Sequence, residues 1–478
     1  MSIQRARQVA RRFDVDRAVA YAVAARGWQL LTGQVTALLI MFCLTKVEQG
    51  YYYAFVWLLG MQIFVELGLH VVIINVASHE WSELKSVDGE VEGSPRALSR
   101  LASLNRIAVR WYLFAAAIFV VAVSVAGVVY FSGTTGSAEF VTDAESSTVR
   151  WFSPWLVLVL LTGLQLGLLP MTSILEGCGQ LATINQFRFW QGMAGSFVVW
   201  SLLFGGFGVW ALCGSAAVRL IGESYLALGR YRKFFATLRD QPPTEVVDWK
   251  SEVVPLQWRI AVQGAFHWFA THLAGLVLFK EYGPAVAGQF GLMWTVLTAI
   301  QGAATSWIDT RRPVFGRLIA ERNYSELDRR FFSLCRISIG LVLAGTLLFT
   351  VGVVVVNQFS NWFFDKIALK LPDVQTVLIY SLGFIAFQPA VCANIYVRAH
   401  KKDPFLLASI ISNSAIAALT VSLGTIYGIV GSVSGYLIGV AGILTPLWVG
   451  IWWVTRQRWH AVDDNGSLTA SASQEEGL

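Results

Sequence analysis

Charge is scarce in this chain. Asp, Glu, Lys and Arg make up 14% of its 478 residues, against about a quarter in soluble domains, too few to cover a water-facing surface of ordinary size. Histidine is equally thin, and the closest pair, His267 and His272, points to different helix faces, so no metal-ligand spacing is present. The five cysteines (Cys43, Cys178, Cys213, Cys335, Cys392) fall in apolar stretches or near their ends, so no structural disulfide is expected. No Walker-type glycine loop occurs, which excludes a built-in ATPase. Long polar segments are missing too. The largest loop assigned to the outer side, 132–150, is far too small for a catalytic domain. An enzyme is therefore not expected, and neither a cofactor nor a catalytic residue is assigned.

What fills the chain is apolar sequence, 55% of residues with a mean hydropathy of +0.57. Windows long enough to cross ~30 Å of hydrocarbon recur along it. They lie at 18–44, 51–77, 105–131, 151–175, 181–203, 205–228, 253–279, 284–309, 331–357, 374–397, 404–425 and 427–454. The expected fold is an all-α polytopic membrane protein with about twelve transmembrane helices, each satisfying its own backbone hydrogen bonds.

Basic residues occupy alternate loops, which rejects a nucleic-acid partner despite the net charge of +6. By the positive-inside rule both termini are cytoplasmic, and the chain is expected to be multi-pass with an even number of spans. The first span is too long for a cleaved signal. A basic segment (1–17, with Arg5, Arg7, Arg11, Arg12 and Arg17) precedes it and reads either as an amphipathic helix on the inner leaflet or as a plain orientation signal. Pro170 and Pro389 interrupt the fourth and tenth spans and read as hinges or tolerated kinks.

The two halves repeat. Residues 100–106 (RLASLNR) and 330–336 (RFFSLCR) open the third span of each, and 208–211 and 428–431 sit alike in the sixth spans. The expected organisation is a six-helix lobe at 18–228, a linker at 229–252 containing Gln241-Pro242-Pro243, a second six-helix lobe at 253–454, and a tail at 455–478. Both halves enter from the same side, so the bundles are related by a pseudo-two-fold axis along the membrane normal, with a cavity expected between them.

Ionisable groups inside hydrocarbon cost about 2.5–3.5 kcal/mol each, so each calls for a reason. Arg26, Glu66, Arg188, Arg219, Glu223 and Arg259 fall in the cytoplasmic half of their spans. Four arginines against two glutamates leave a positive surplus, which suits an anionic headgroup such as a diphosphate. Gln62, Glu66 and His70 recur every fourth residue on one face of helix 2, as do Arg259, Gln263 and His267 on helix 7. Asn185, Arg188 and Gln191 form a looser polar face. Alternatives stand beside this reading. Arg219 and Glu223 are spaced to satisfy each other, Arg26 and Glu66 to form a structural pair, and Arg188 and Arg259 to snorkel.

The stretch QGYYYAFVWLLGMQIFVELGLHVVIINVASHEW (49–81) resembles the start of polysaccharide transporters in the multidrug/oligosaccharidyl-lipid/polysaccharide exporter superfamily, relatives of O-antigen flippases. That resemblance implies a flippase moving an undecaprenyl-pyrophosphate-linked oligosaccharide across the cytoplasmic membrane by alternating access. It implies a bacterial source and carries over only the cavity arginines as substrate-binding residues, Arg26 first with Arg188, Arg219 and Arg259, placed by depth rather than by a matched motif. The depth and spacing of the polar residues add Gln62 and Gln263 as substrate-binding partners and Glu66 and Glu223 for coupling or ion pairing. The implied partners are the lipid-linked oligosaccharide, the bilayer, a proton or sodium ion, and other polysaccharide-assembly proteins. The competing readings are a cation-coupled multidrug antiporter, which would favour acidic cavity residues, and a polysaccharide polymerase or ligase, which would need a larger outer loop. Lipid II flippases are similar in cavity charge but usually carry two further helices.

Overall fold

The computed structural model describes residues 17–133, 149–242, 244–358, 367–400 and 404–459, and all side chains within them except those at 17–20, 22, 23, 26, 30, 250 and 256. Of the segments expected from sequence, most of the N-terminal basic stretch, the core of the 132–150 loop and most of the tail lie outside the described residues.

The chain is mostly helical. In the first half the helices are α1 (Arg17–Cys43), α2 (Lys46–Leu59), α3 (Ile63–Glu66), α4 (Leu69–Trp81), α5 (Pro95–Ser132), α6 (Phe152–Gly177), α7 (Leu181–Phe204), α8 (Trp210–Ser224) and α9 (Arg232–Asp240). The second half has α10 (Val254–Tyr282), α11 (Pro284–Asp309), α12 (Arg312–Ala320), α13 (Tyr324–Gln358), α14 (Val374–Ala399) and α15 (Leu406–Gly439), whose helix continues to Trp459. Six helical runs among the described residues are long and apolar enough to cross a bilayer: Pro95–Ser132, Phe152–Gly177, Trp210–Arg230, Tyr324–Gln358, Val374–Ala399 and Leu406–Trp459. The bent pair Lys46–Glu66 and Leu69–Trp81 makes a seventh if taken as one span. This is a multi-pass membrane protein. The segments expected to span at 18–44, 181–203, 253–279 and 284–309 are helical as well, but richer in polar and small residues.

One feature departs from the all-α expectation: Leu84–Val87 (β1) and Glu90–Gly93 (β2) pair antiparallel between α4 and α5. Asp88 and Gly89 both have positive φ (51° and 89°), as a tight Asp-Gly hairpin turn requires. The segment expected as the linker, 229–252, contains α9 and most of a wide turn at Trp249–Val253.

By internal contacts the chain forms two compact units. The first runs to Trp268 and includes Gly283–Gly288, and the second comprises Phe269–Tyr282 and the chain from Gln289 onward. Arg259 and Gln263, expected in the C-terminal lobe, therefore group with the first unit.

Local chemistry explains the main joints of unit 1. Thr45 and Glu48 close a reciprocal capping box at the start of α2, with Glu48 N–H to Thr45 Oγ1 at 3.2 Å and Thr45 N–H to Glu48 Oε2 at 2.9 Å. Phe55, Phe131 and Trp155, all wholly buried, meet with ring centroids 5.0–5.6 Å apart and tie α2, α5 and α6 together. The linker is fastened to the start of α5 by the polar residues around the RLASLNR motif. Ser99 Oγ accepts the N–H groups of Thr244 and Glu245 at 3.0 Å, and Ser103 Oγ accepts that of Val247 at 3.1 Å. Arg100 bridges Glu80 at 2.8 Å and Glu252 at 2.7 Å.

In unit 2, Gly428 leaves helical geometry (φ 63°, ψ −143°) and splits the long α15 run into two antiparallel arms. Gly431, Gly435 and Gly439, four apart, face the backbones of Leu423, Leu419 and Ile416. A Cβ on Gly435 would fall 2.5 Å from the Leu419 carbonyl oxygen. Such small-residue stripes let helices approach closely where lipid supplies no hydrophobic drive. At the basic end of the same unit Arg456 grips Asp328, whose carboxylate also accepts the Tyr396 hydroxyl at 2.9 Å. Phe331, Tyr396 and Trp452 pack around that pair.

Candidate functional site

The second expected span is broken. α3 ends at Glu66, Leu67 and Gly68 both adopt the left-handed region (φ 52° and 65°), and α4 restarts at Leu69 with the axis bent by 47°. Two consecutive left-handed residues cannot continue a right-handed helix. The Leu67 N–H still reaches the Ile63 carbonyl at 3.0 Å, so the stop is tight rather than frayed. Pro170 and Pro389, read as hinges or tolerated kinks, both lie inside continuous helices.

α10 holds the break in place. Ile260, Gly264 and Trp268 recur at helical spacing and meet Gly68, Ile63 and Phe64 respectively. The Phe64 and Trp268 rings stand edge to face at 5.2 Å. Arg259 and Gln263 sit one position before two of these contact residues and so carry the adjoining face.

Gln62, Glu66 and His70 were expected on one face of a continuous helix. The helix is not continuous, because Leu67 and Gly68 take positive φ between Glu66 and His70. The three side chains nevertheless meet. Glu66, buried, pairs with His70 across the break, and Gln62 Nε2 donates to Glu66 Oε2 at 3.4 Å. Tyr112 from α5, wholly buried, lies within interaction range of the Glu66 carboxylate.

A second cluster joins α6, α7 and α8. Arg188 pairs with Glu176, a residue the sequence reading passed over because the fourth span was ended at residue 175. Gln191 Nε2 donates to the Arg219 carbonyl at 2.8 Å, passing over Gly222, where a Cβ would lie 2.8 Å from that nitrogen. Arg219 and Glu223 interact at a distance but close no ion pair, and Glu223 also feels Arg188. Arg219 in turn lies within range of Tyr52 on α2. His70 feels both Glu176 and Arg188, so the two clusters form one electrostatically coupled series through unit 1.

Arg26 lies in α1 with its side chain outside the described residues. Arg259 is exposed, 5.8 Å over the Trp258 ring. Among the described residues neither Arg219 nor Arg259 makes an ion pair. Counting Glu176 reduces the expected positive surplus from two charges to one.

The chain is similar to an inward-facing multidrug resistance MATE family transporter of the MOP superfamily, with a TM-score of 0.62 and 14% identity, covering 91% of this chain and 99% of that one. The fold is that of the MOP-superfamily transporters. Lipid II flippase MurJ in an inward closed conformation matches the same MOP fold with a TM-score of 0.58 and 12% identity, over 91% of this chain and 87% of MurJ. A MOP-superfamily transporter from Pyrococcus furiosus, for which a reversed binding-pocket polarity suggests a different function, matches with a TM-score of 0.51 and 14% identity, over 94% of this chain and 95% of that one. No protein-family model matches the chain, and no curated protein matches it in sequence. These structural neighbours are transporters and flippases, not enzymes.

Proposed function

We propose that the protein is a flippase for a polyprenyl-diphosphate-linked oligosaccharide, working by alternating access in a scaffold of about twelve spans. The observation that carries this reading is the charge left after internal pairing. Glu66 is engaged by His70 and Arg188 by Glu176, whereas the guanidinium groups of Arg219 and Arg259 have no ion-pair partner among the described residues. An arginine in a membrane unit without a closed ion pair is costly unless a ligand supplies one, and a diphosphate does so with bidentate geometry.

In this reading the headgroup docks on Arg219 and Arg259, with Gln62 and Gln263 as neutral hydrogen-bonding partners and Arg26 proposed as a further cationic ligand. Arg188 holds the acidic side of the site through Glu176 rather than binding substrate by itself. The Glu66–His70 pair at the helix break is the coupling element, and proton uptake there would change the charge next to a bent joint. Glu223, between Arg188 and Arg219, keeps the site from binding the headgroup irreversibly.

One observation favours a second reading. Three carboxylates, Glu66, Glu176 and Glu223, lie in the coupled series, and a cation-coupled antiporter of small cationic molecules would use them. The test is equilibrium binding to the purified protein of a polyprenyl-diphosphate oligosaccharide and, separately, of a cationic dye. Our reading predicts saturable binding of the lipid diphosphate that weakens at least tenfold in Arg219→Gln and Arg259→Gln. Dye binding that is lost in Glu66→Gln, with no binding of the lipid diphosphate, would establish the antiporter instead.

A further inference from the structure

A second basic site lies away from the helix break. α5 spans 38 residues, about 57 Å at 1.5 Å per residue, nearly twice the hydrocarbon thickness. Its charge-free stretch is Trp111–Ser132, so Arg106 and Arg110, one turn apart, mark the level where the helix leaves the membrane on the basic side. Both had been placed inside the third span at 105–131. At that level a cavity of about 450 Å³ opens between α5, the end of α6, the turn after α8 and α9. It is lined by four arginines, Arg106, Arg110, Arg232 and Arg239, and by no carboxylate.

The four arginines are not equivalent. Arg106 donates to the carbonyls of Arg239 and Gln241 and so holds the linker. Among the described residues Arg239 pairs only with its neighbour Asp240, both largely exposed. Arg110 and Arg232 are exposed and make no ion pair among the described residues. Below them the surface is apolar and uncovered. Leu113 and Phe114 on α5 are 57% and 61% exposed, and Leu228 beside the cavity is 58% exposed. Val109, Met171, Ala227, Phe235 and Ala236 complete the apolar part of the lining.

We infer that this cavity binds the phosphate headgroup of an anionic phospholipid of the leaflet on the basic side, with the acyl chains running over Leu113, Phe114 and Leu228. Unpaired guanidinium groups supply the anion site. Their position at the end of an apolar surface selects a lipid over a soluble phosphate, because only a lipid satisfies both halves at once. α9 frames the cavity and lies in the first part of the 229–252 linker, so an occupied site would also fix the start of that linker.

The experiment is native mass spectrometry of the full-length protein released from bilayers of phosphatidylglycerol and phosphatidylcholine, with and without inorganic phosphate. Variants are Arg110→Gln/Arg232→Gln and the charge-preserving Arg110→Lys/Arg232→Lys. Phosphatidylglycerol should be retained over phosphatidylcholine. The preference should fall roughly five-fold for each arginine neutralised, persist largely in the lysine variant, and resist millimolar phosphate. Equal retention of the two lipids, or an unchanged preference in the glutamine variant with its helical content intact, would overturn the inference. Displacement of the lipid by inorganic phosphate would assign the cavity to a soluble anion and overturn it equally.

Discussion

Gly68 and Ile260 fit together only because Gly68 has no side chain. A Cβ there would lie 2.3 Å from Ile260 Cγ2, at a backbone angle of φ 65° that few other residues adopt. The contact ties the broken helix to α10 and so sets where Glu66 and His70 face each other.

The first prediction follows from that contact. Gly68→Ala adds a clash and a strained φ, and it should lower stability by about 1–3 kcal/mol in thermal unfolding of the detergent-solubilised protein. Adding Ile260→Ala removes the clash but not the strain, so the double variant should recover part of the loss relative to Gly68→Ala. Strict additivity of the two losses would mean that the residues do not touch.

The Glu66–His70 pair should behave as one unit. Glu66→Gln and His70→Gln are each predicted to reduce the initial rate of transport about tenfold, and the double variant to lose no more than the worse single. A coupling of about 1–3 kcal/mol in this cycle is the signature of direct contact. Independent, multiplying losses would place the two groups in separate roles.

Arg188 and Glu176 should tolerate exchange. Arg188 is half exposed, so the pair contributes at most about 1 kcal/mol to stability, and single neutralisations should unfold nothing. Glu176→Arg/Arg188→Glu should regain binding that Glu176→Gln alone loses, measured with the lipid diphosphate. Failure of the exchange, with Arg188→Gln alone abolishing binding, would make Arg188 a direct ligand.

The hairpin of α15 depends on its glycine stripe. Gly435→Leu drives a side chain into the Leu419 backbone and should cost more than about 2 kcal/mol, seen as lost monodisperse protein on size exclusion. Gly352→Leu on α13, where a Cβ would meet nothing within 4 Å, is the matched control and should be neutral.

The membrane character and most of the helix positions were legible in the sequence, because apolar runs long enough to span a bilayer have few other uses. The β1–β2 hairpin carried a readable signal in Asp88-Gly89, which the expectation of an all-helical chain overrode. The break at Leu67-Gly68 was not legible by periodicity. Gln62, Glu66 and His70 keep a four-residue spacing through it, and a leucine in the left-handed region leaves no mark in sequence. Glu176 was missed by a single residue in the placement of a helix end, and with it the partner of Arg188. Arg259 and Gln263 were recognised as one polar face, but only the contacts of Ile260 and Gly264 set that face beside the break.

Leaflet-resolved translocation of a polyprenyl-diphosphate oligosaccharide in vesicles containing the purified protein is the most direct test of the central claim. The account predicts protein-dependent movement of the headgroup across the bilayer, reduced at least tenfold by the double variant Arg219→Gln/Arg259→Gln while that variant remains folded. Equal translocation by wild type and the double variant, or none by wild type with export of a cationic dye under the same ion gradient, would contradict it.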